Sequence, residues 1–153
     1  MVIGFVKKIS KGPLKGWTTN FKEKILDGRK KHTIRIMGKR NYRKGMLLQL
    51  AHGVRTKYYD CFLETECTKV DRLTIASWNA YHPKIMNSGD VEYQYGLKYK
   101  DFYITMDLNG RYISTEKMKD IAINDGFESL DQMIQYFDLK KGEFAVTNLI
   151  HWK

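Results

Sequence analysis

A chain of 153 residues with 42% apolar and 29% charged side chains has the size and composition of one globular domain, and its ten Tyr, seven Phe and three Trp exclude a disordered polymer. No apolar run reaches the ~20 residues of a membrane-spanning helix. The opening Met1-Val2-Ile3-Gly4-Phe5-Val6-Lys7-Lys8 is too short and ends too basic for a secretory signal, so a cytoplasmic protein without membrane contact or obligate protein partner is expected.

In chain order, Val2–Lys7 predicts a first strand and residues 10–18 a Gly- and Pro-containing loop. A short helix starts at Asn20, which with Glu23 fits a capping box. Phe21 and Ile25 share one face of it, and Gly28 stops it in the left-handed region. His32–Ile36 predicts a strand with Thr33 and Arg35 on one face and Ile34 and Ile36 on the other. Met46–His52 is an apolar strand turned by Gly53, and Tyr58–Thr74 a long bent strand or two. The polar stretch from about 77 to 98 reads as an insertion. Lys98–Asp107 and Arg111–Ser114 flank Asn109-Gly110, a hairpin signal because both residues accept positive φ. Helices are expected over 115–124, with Met118, Ile121 and Ala122 as the apolar stripe, and over 129–137, with Ser129 and Gln132 as a second capping box. Glu143–Trp152 closes the chain as a strand. The order is α+β, with strands outnumbering helices.

The net charge of +10 is concentrated. Ten Lys and Arg residues lie between Arg29 and Tyr59, a segment without Asp or Glu, while the rest of the chain holds 17 basic and 17 acidic residues. A folded surface ordinarily mixes both signs, because like charges repel. A one-sign segment points to a polyanion partner, and the interleaved Tyr42, Tyr58 and Tyr59 offer rings for stacking on bases. The competing reading is a basic face that serves solubility. Cys61 and Cys67, six residues apart, stand ~20 Å apart on a single strand and cannot pair, so two buried free thiols are expected. Neither the cysteines nor His32, His52, His82 and His151 show metal-ligand spacing, and no metal or cofactor is expected.

Gly28-Arg29-Lys30-Lys31-His32-Thr33-Ile34-Arg35 resembles the signature of the ASCH domain family, a helix ending in Gly-x-Lys-x-x-Thr-x-Arg. Arg43-Lys44-Gly45-Met46-Leu47-Leu48 is similar to the family's entry into its barrel, Asp125-Gly126-Phe127-Glu128-Ser129-Leu130 to its late acidic turn, and Phe144–Trp152 to its closing strand. The resemblance covers most of residues 19–152. It implies a PUA-like small mixed β-barrel with short flanking helices. Two positions depart from the pattern. Met46 stands where the family often has Asp, and Asp125 where members that hydrolyse N4-acetylcytidine carry Glu.

Two kinds of chemistry follow. As an RNA- or nucleobase-binding domain, the chain would use a basic cleft with phosphates on Arg29, Lys31, Arg40 and Arg43, with Lys30 and Arg35 staying charged and holding phosphate as well, and Arg55 offering a fork of donors. As a hydrolase of acylated nucleosides, the resemblance implies Lys30 as the base that activates Thr33, with Asp125 positioning substrate or lysine; a ribonuclease is the family's other precedent. A lysine base needs a depressed pKa, which burial beside Arg29, Lys31 and Arg35 would provide. A third reading makes Tyr81, Tyr93 and Tyr95 of the insertion an adaptor patch.

Overall fold

The structure, a computed structural model, describes residues 1–78 and 96–153. Its elements are β1 (Val2–Phe5), α1 (Phe21–Leu26), β2 (His32–Ile36), β3 (Leu47–His52), β4 (Asp60–Trp78), β5 (Gly96–Tyr99), β6 (Phe102–Leu108), β7 (Arg111–Tyr112), α2 (Thr115–Asn124), α3 (Leu130–Phe137) and β8 (Phe144–Trp152). They form a mixed α+β fold with one eight-stranded sheet and three short helices among the described residues. No described helix is long and apolar enough to cross a membrane. Most of the insertion, with Tyr81, Tyr93 and Tyr95, lies outside the described residues.

β4 is the spine. It runs antiparallel to β3 through Asp60–Glu66, to β8 through Cys67–Ala76 and to β6 through Leu73–Trp78. A register shift between Cys67 and Lys69 marks where the 19-residue strand changes neighbours, as an inserted residue bends a strand and deepens its twist. β8 carries β2 on its other edge, β3 carries β1 in parallel, and β6 carries β5 and β7.

Strand pairing does not close this sheet into a barrel, because β1 and β2 share no ladder. Side chains span the gap instead. Met1 O accepts from Gln49 N of β3, so alternate carbonyls starting at Val2 face away from β3. Arg40 Nη1 donates to Val2 O (3.0 Å), Arg35 Nη2 to Gly4 O (2.7 Å) and Thr19 Oγ1 to Val6 O (2.6 Å).

The period-two alternation of the strands builds two cores. Ile34, Leu73, Ile75, Met106 and Leu149 pack under Met118 and Ile121 of α2 and Met133 and Ile134 of α3. On the opposite face Ile3, Phe5, Leu48, Leu50 and Ile150 pack against Phe21 and Ile25 of α1. Leu149 and Ile150 are neighbours in β8 and serve different cores. Burying these side chains contributes roughly 1.5–3 kcal/mol each, less the entropy of ordering them.

Several local expectations change. Asn20 is itself left-handed (φ 49°, ψ 31°) and its side chain caps nothing; Thr19 Oγ1 accepts from Phe21 N instead (3.4 Å). Ser129 Oγ does accept from Gln132 N (3.1 Å), but Gln132 Oε1 returns to Glu128 N (2.7 Å), one residue earlier than the box predicts. Lys98–Asp107 is two strands, split at Lys100, a lysine held at φ 54°. Of the two thiols only Cys67 is buried, Cys61 being half-buried. Asn109 (φ 53°) and Gly110 (φ 86°) form the expected tight turn.

Candidate functional site

The site begins at the end of α1. Gly28, at φ 78°, reverses the chain. Lys30 N then donates to Lys24 O (2.7 Å) and Lys31 N to Asn124 O (2.8 Å), which lays the start of β2 against the end of α2. The side chain of Lys30 therefore turns inward, 1% exposed, with Nζ 4.6 Å from the Phe21 ring centre and 5.6 Å from that of Phe5.

There it meets Asp125, which follows α2 as its C-cap. Lys30 Nζ donates to Asp125 Oδ1 at 2.9 Å and to the Asp125 carbonyl. Ile34 N, on the edge of β2, donates to the same Oδ1 at 3.0 Å. Lys24 grips the next residues of the turn, from Nζ to Gly126 O (2.7 Å) and to the Glu128 carboxylate. Gly126 stands at φ 90°, where a Cβ would lie 3.1 Å from Lys30 Cδ and from the Phe21 ring.

Burial pushes the Lys30 amine down to about 8, against the pull of Asp125 and with help from Arg35 and Lys24. Burial pushes the Asp125 carboxyl up, against Lys30, Arg35 and the Ile34 N–H, all of which favour the carboxylate. The Arg35 guanidinium, lowered by the same desolvation, lies 4.9 Å from the Phe5 ring centre, and its Nε is buried without a partner among the described residues. Thr33, Arg35, Asp125, Gly4 and Tyr136 line a cavity of about 50 Å³ between the unpaired edges of β1 and β2. His32, next to Thr33 but on the other face, is held neutral by burial with its pKa near 3, and its Nε2 lies 3.0 Å from Ile121 O.

The structure thus gathers Lys30, Thr33, Arg35 and Asp125 and disperses the other expected residues. Arg29 is exposed and paired with Asp27 (Nε–Oδ2 2.7 Å). It borders, with exposed Lys31 and Glu128, an open cleft of about 400 Å³. Arg40 sits on Val2 O. Arg43 lies in the loop before β3 and Arg55 in the loop after it, at opposite ends of a six-residue strand, about 20 Å in length. Tyr42 is core, whereas Tyr58 and Tyr59 are exposed.

Lys30 differs from its phosphate-holding expectation, since its amine is enclosed and engaged by Asp125. The cations that perturb it are Lys24 and Arg35, because Arg29 and Lys31 point to solvent. Lys24 was the residue sequence reasoning missed. A signal existed: Phe21, Lys24 and Ile25 fall at i, i+3 and i+4, placing the lysine on the helix's buried stripe.

Fold and site together define a mixed α+β domain with a lysine–aspartate pair buried at the unclosed edge of its sheet. Comparison with models of known protein families, with curated proteins and with solved structures gives no match.

Proposed function

We propose that the chain is an ASCH-type, PUA-like domain of the cytoplasm that binds RNA or a nucleobase along the open seam between β1 and β2. The supporting observation is electrostatic. Eight of the ten cations between Arg29 and Tyr59 are solvent-exposed, and among the described residues only Arg29 of those eight has an acidic partner. Arg35 and Arg40 lie on the seam, and Lys7 follows β1. The inner cavity, about 50 Å³, falls well short of the ~300 Å³ at which small-molecule pockets begin, which favours nucleic acid lying on the surface over an engulfed nucleoside. With four phosphates neutralised, affinity for a short single-stranded RNA falls about 50-fold between 50 and 200 mM salt. Fluorescence polarisation measures this, and Arg40→Ala and Arg43→Ala should each flatten the logarithmic slope by about 0.7. An affinity indifferent to salt sinks the reading.

A second reading, hydrolysis of an acylated nucleoside, is favoured by the depressed Lys30 amine beside Asp125 and a cavity lined by Thr33. Neutral Lys30 would take the Thr33 hydroxyl proton as the oxygen attacks the acyl carbonyl and return it to the cytosine N4 amine as the amide C–N bond breaks; water would then cleave the acyl-Thr33 ester to free the acid and the hydroxyl. The amine is charged below its pKa, so turnover of N4-acetylcytidine should rise about tenfold per pH unit and level off near pH 8. Absence of turnover across pH 6–10 removes this reading and leaves the binding one.

A further inference from the structure

We infer that the loop joining β3 to β4 carries a stacking platform for one unpaired base of single-stranded RNA, with Tyr58 as the ring and Lys57 and Arg55 beside it for the adjoining phosphates. This rests on the RNA reading above and assigns a further subsite to the same surface.

An open groove of about 550 Å³ runs between β1 and this loop, with Gly4, Phe5 and Val6 along one side and Val54 and Tyr58 on the other. It is roomy enough for a base, unlike the inner cavity, and Gly4, Phe5 and Val6 border both. A strand whose base sits on Tyr58 therefore continues toward the seam, where Arg35 and Arg40 lie. Gly4 matters to the shape, because a Cβ there would stand 3.0 Å from Val54 Cγ2. The groove's charge suits a polyanion: Lys7 lines it and, among the described residues, no acidic one does. The nearest acid in sequence, Asp60, is held by Lys22 at 2.7 Å.

Tyr58 is 73% exposed, more than any other described ring, Phe144 following at 69%, whereas Phe5, Phe21 and Phe127 are buried. The loop presents it by spending its own hydrogen bonds locally. Thr56 N and Oγ1 both donate to Gly53 O (2.9 and 2.7 Å), Tyr58 N donates to Thr56 Oγ1 (3.1 Å) and Tyr59 N to Thr56 O (3.3 Å). Gly53 is required for this closure, since a Cβ would fall 2.4 Å from Tyr58 O. Arg55, at φ 68°, is a non-glycine residue held in the left-handed region, a conformation that clusters at ligand clamps. Lys57 Nζ lies 5.2 Å from the Tyr58 ring centre, so a cation already accompanies the ring. An apolar face for a base next to cations for its phosphates is how single strands are bound without sequence preference.

The test compares a uridine octamer with an octamer of the same length made wholly of abasic residues, which keeps the phosphates and removes the bases. The protein should bind the uridine octamer more tightly than the abasic one. Tyr58→Ala should weaken uridine binding between about five- and a hundredfold and leave abasic binding unchanged, while Tyr58→Trp retains wild-type affinity. Lys57→Ala should weaken both octamers alike. Because Tyr58 is exposed, the alanine variant is expected to keep the wild-type melting temperature, so lost binding reports on the surface. Equal binding of uridine octamer by wild type and Tyr58→Ala, with salt dependence intact, overturns the platform and spares the RNA reading. Failure of wild type to bind either octamer at low salt overturns both. A hexaglutamate peptide that displaces the uridine octamer at equal concentration would mark the surface as a general acidic-chain site and also overturn the platform.

Discussion

Asp125→Ala is expected to destabilise the protein by about 3–5 kcal/mol, the range for stranding one member of a buried ion pair. The substitution leaves the Lys30 amine enclosed by Phe5 and Phe21 without its carboxylate and the Ile34 N–H without its acceptor. Urea unfolding should show the midpoint falling at constant slope, the mark of lost stability without a changed unfolded state. Lys30→Met with Asp125→Leu should recover much of the loss, because apolar replacement of both partners removes the stranded charge and not merely its mate. A loss below about 1 kcal/mol, the net worth of one ordinary hydrogen bond, would mean that solvent reaches the pair.

Gly126→Ala is expected to cost about 2–5 kcal/mol. Forcing an L side chain into a left-handed backbone costs roughly 1–2 kcal/mol, and crowding a packed interior adds roughly 1–3. Here φ is 90° and the new methyl meets Lys30 Cδ and Phe21 at 3.1 Å, with a buried lysine stem and a core ring on the two sides. Calorimetry should register a melting temperature lower by roughly 4–20 °C for a chain of this length. Gly12→Ala separates the contributions. Gly12 has φ 75° with nothing within 4 Å of its missing Cβ, so it carries the backbone penalty alone. Equal losses for the two variants would refute the crowding.

Local signals in the sequence translated well. The bounds of β2 agree with its alternation, Gly28 ends α1 and Asn109-Gly110 turns the hairpin. Lys30 and Asp125, which the resemblance sets in one site, lie 2.9 Å apart. What escaped was long-range or fixed by context. Nothing near Val2–Phe5 announces a parallel partner 47 residues away, and nothing in β4 announces three neighbours. Lys100 turns the chain with a side chain that ordinarily avoids positive φ. For Lys30 the basic run leaves two readings, a charged phosphate holder or a buried base, and the two bonds at its start, to Lys24 and from Lys31 to Asn124, rotate it into the interior.

The side-chain bridge across the seam has a colloidal meaning. A bare strand edge is a template on which another molecule can lay its own backbone. Here Arg40, Arg35 and Thr19 occupy the outward acceptors of β1, and Asp125 occupies the Ile34 donor on the facing rim. An incoming chain finds those positions filled and two guanidinium groups in its path. At this seam, therefore, the unclosed sheet does not offer a bare edge at those positions.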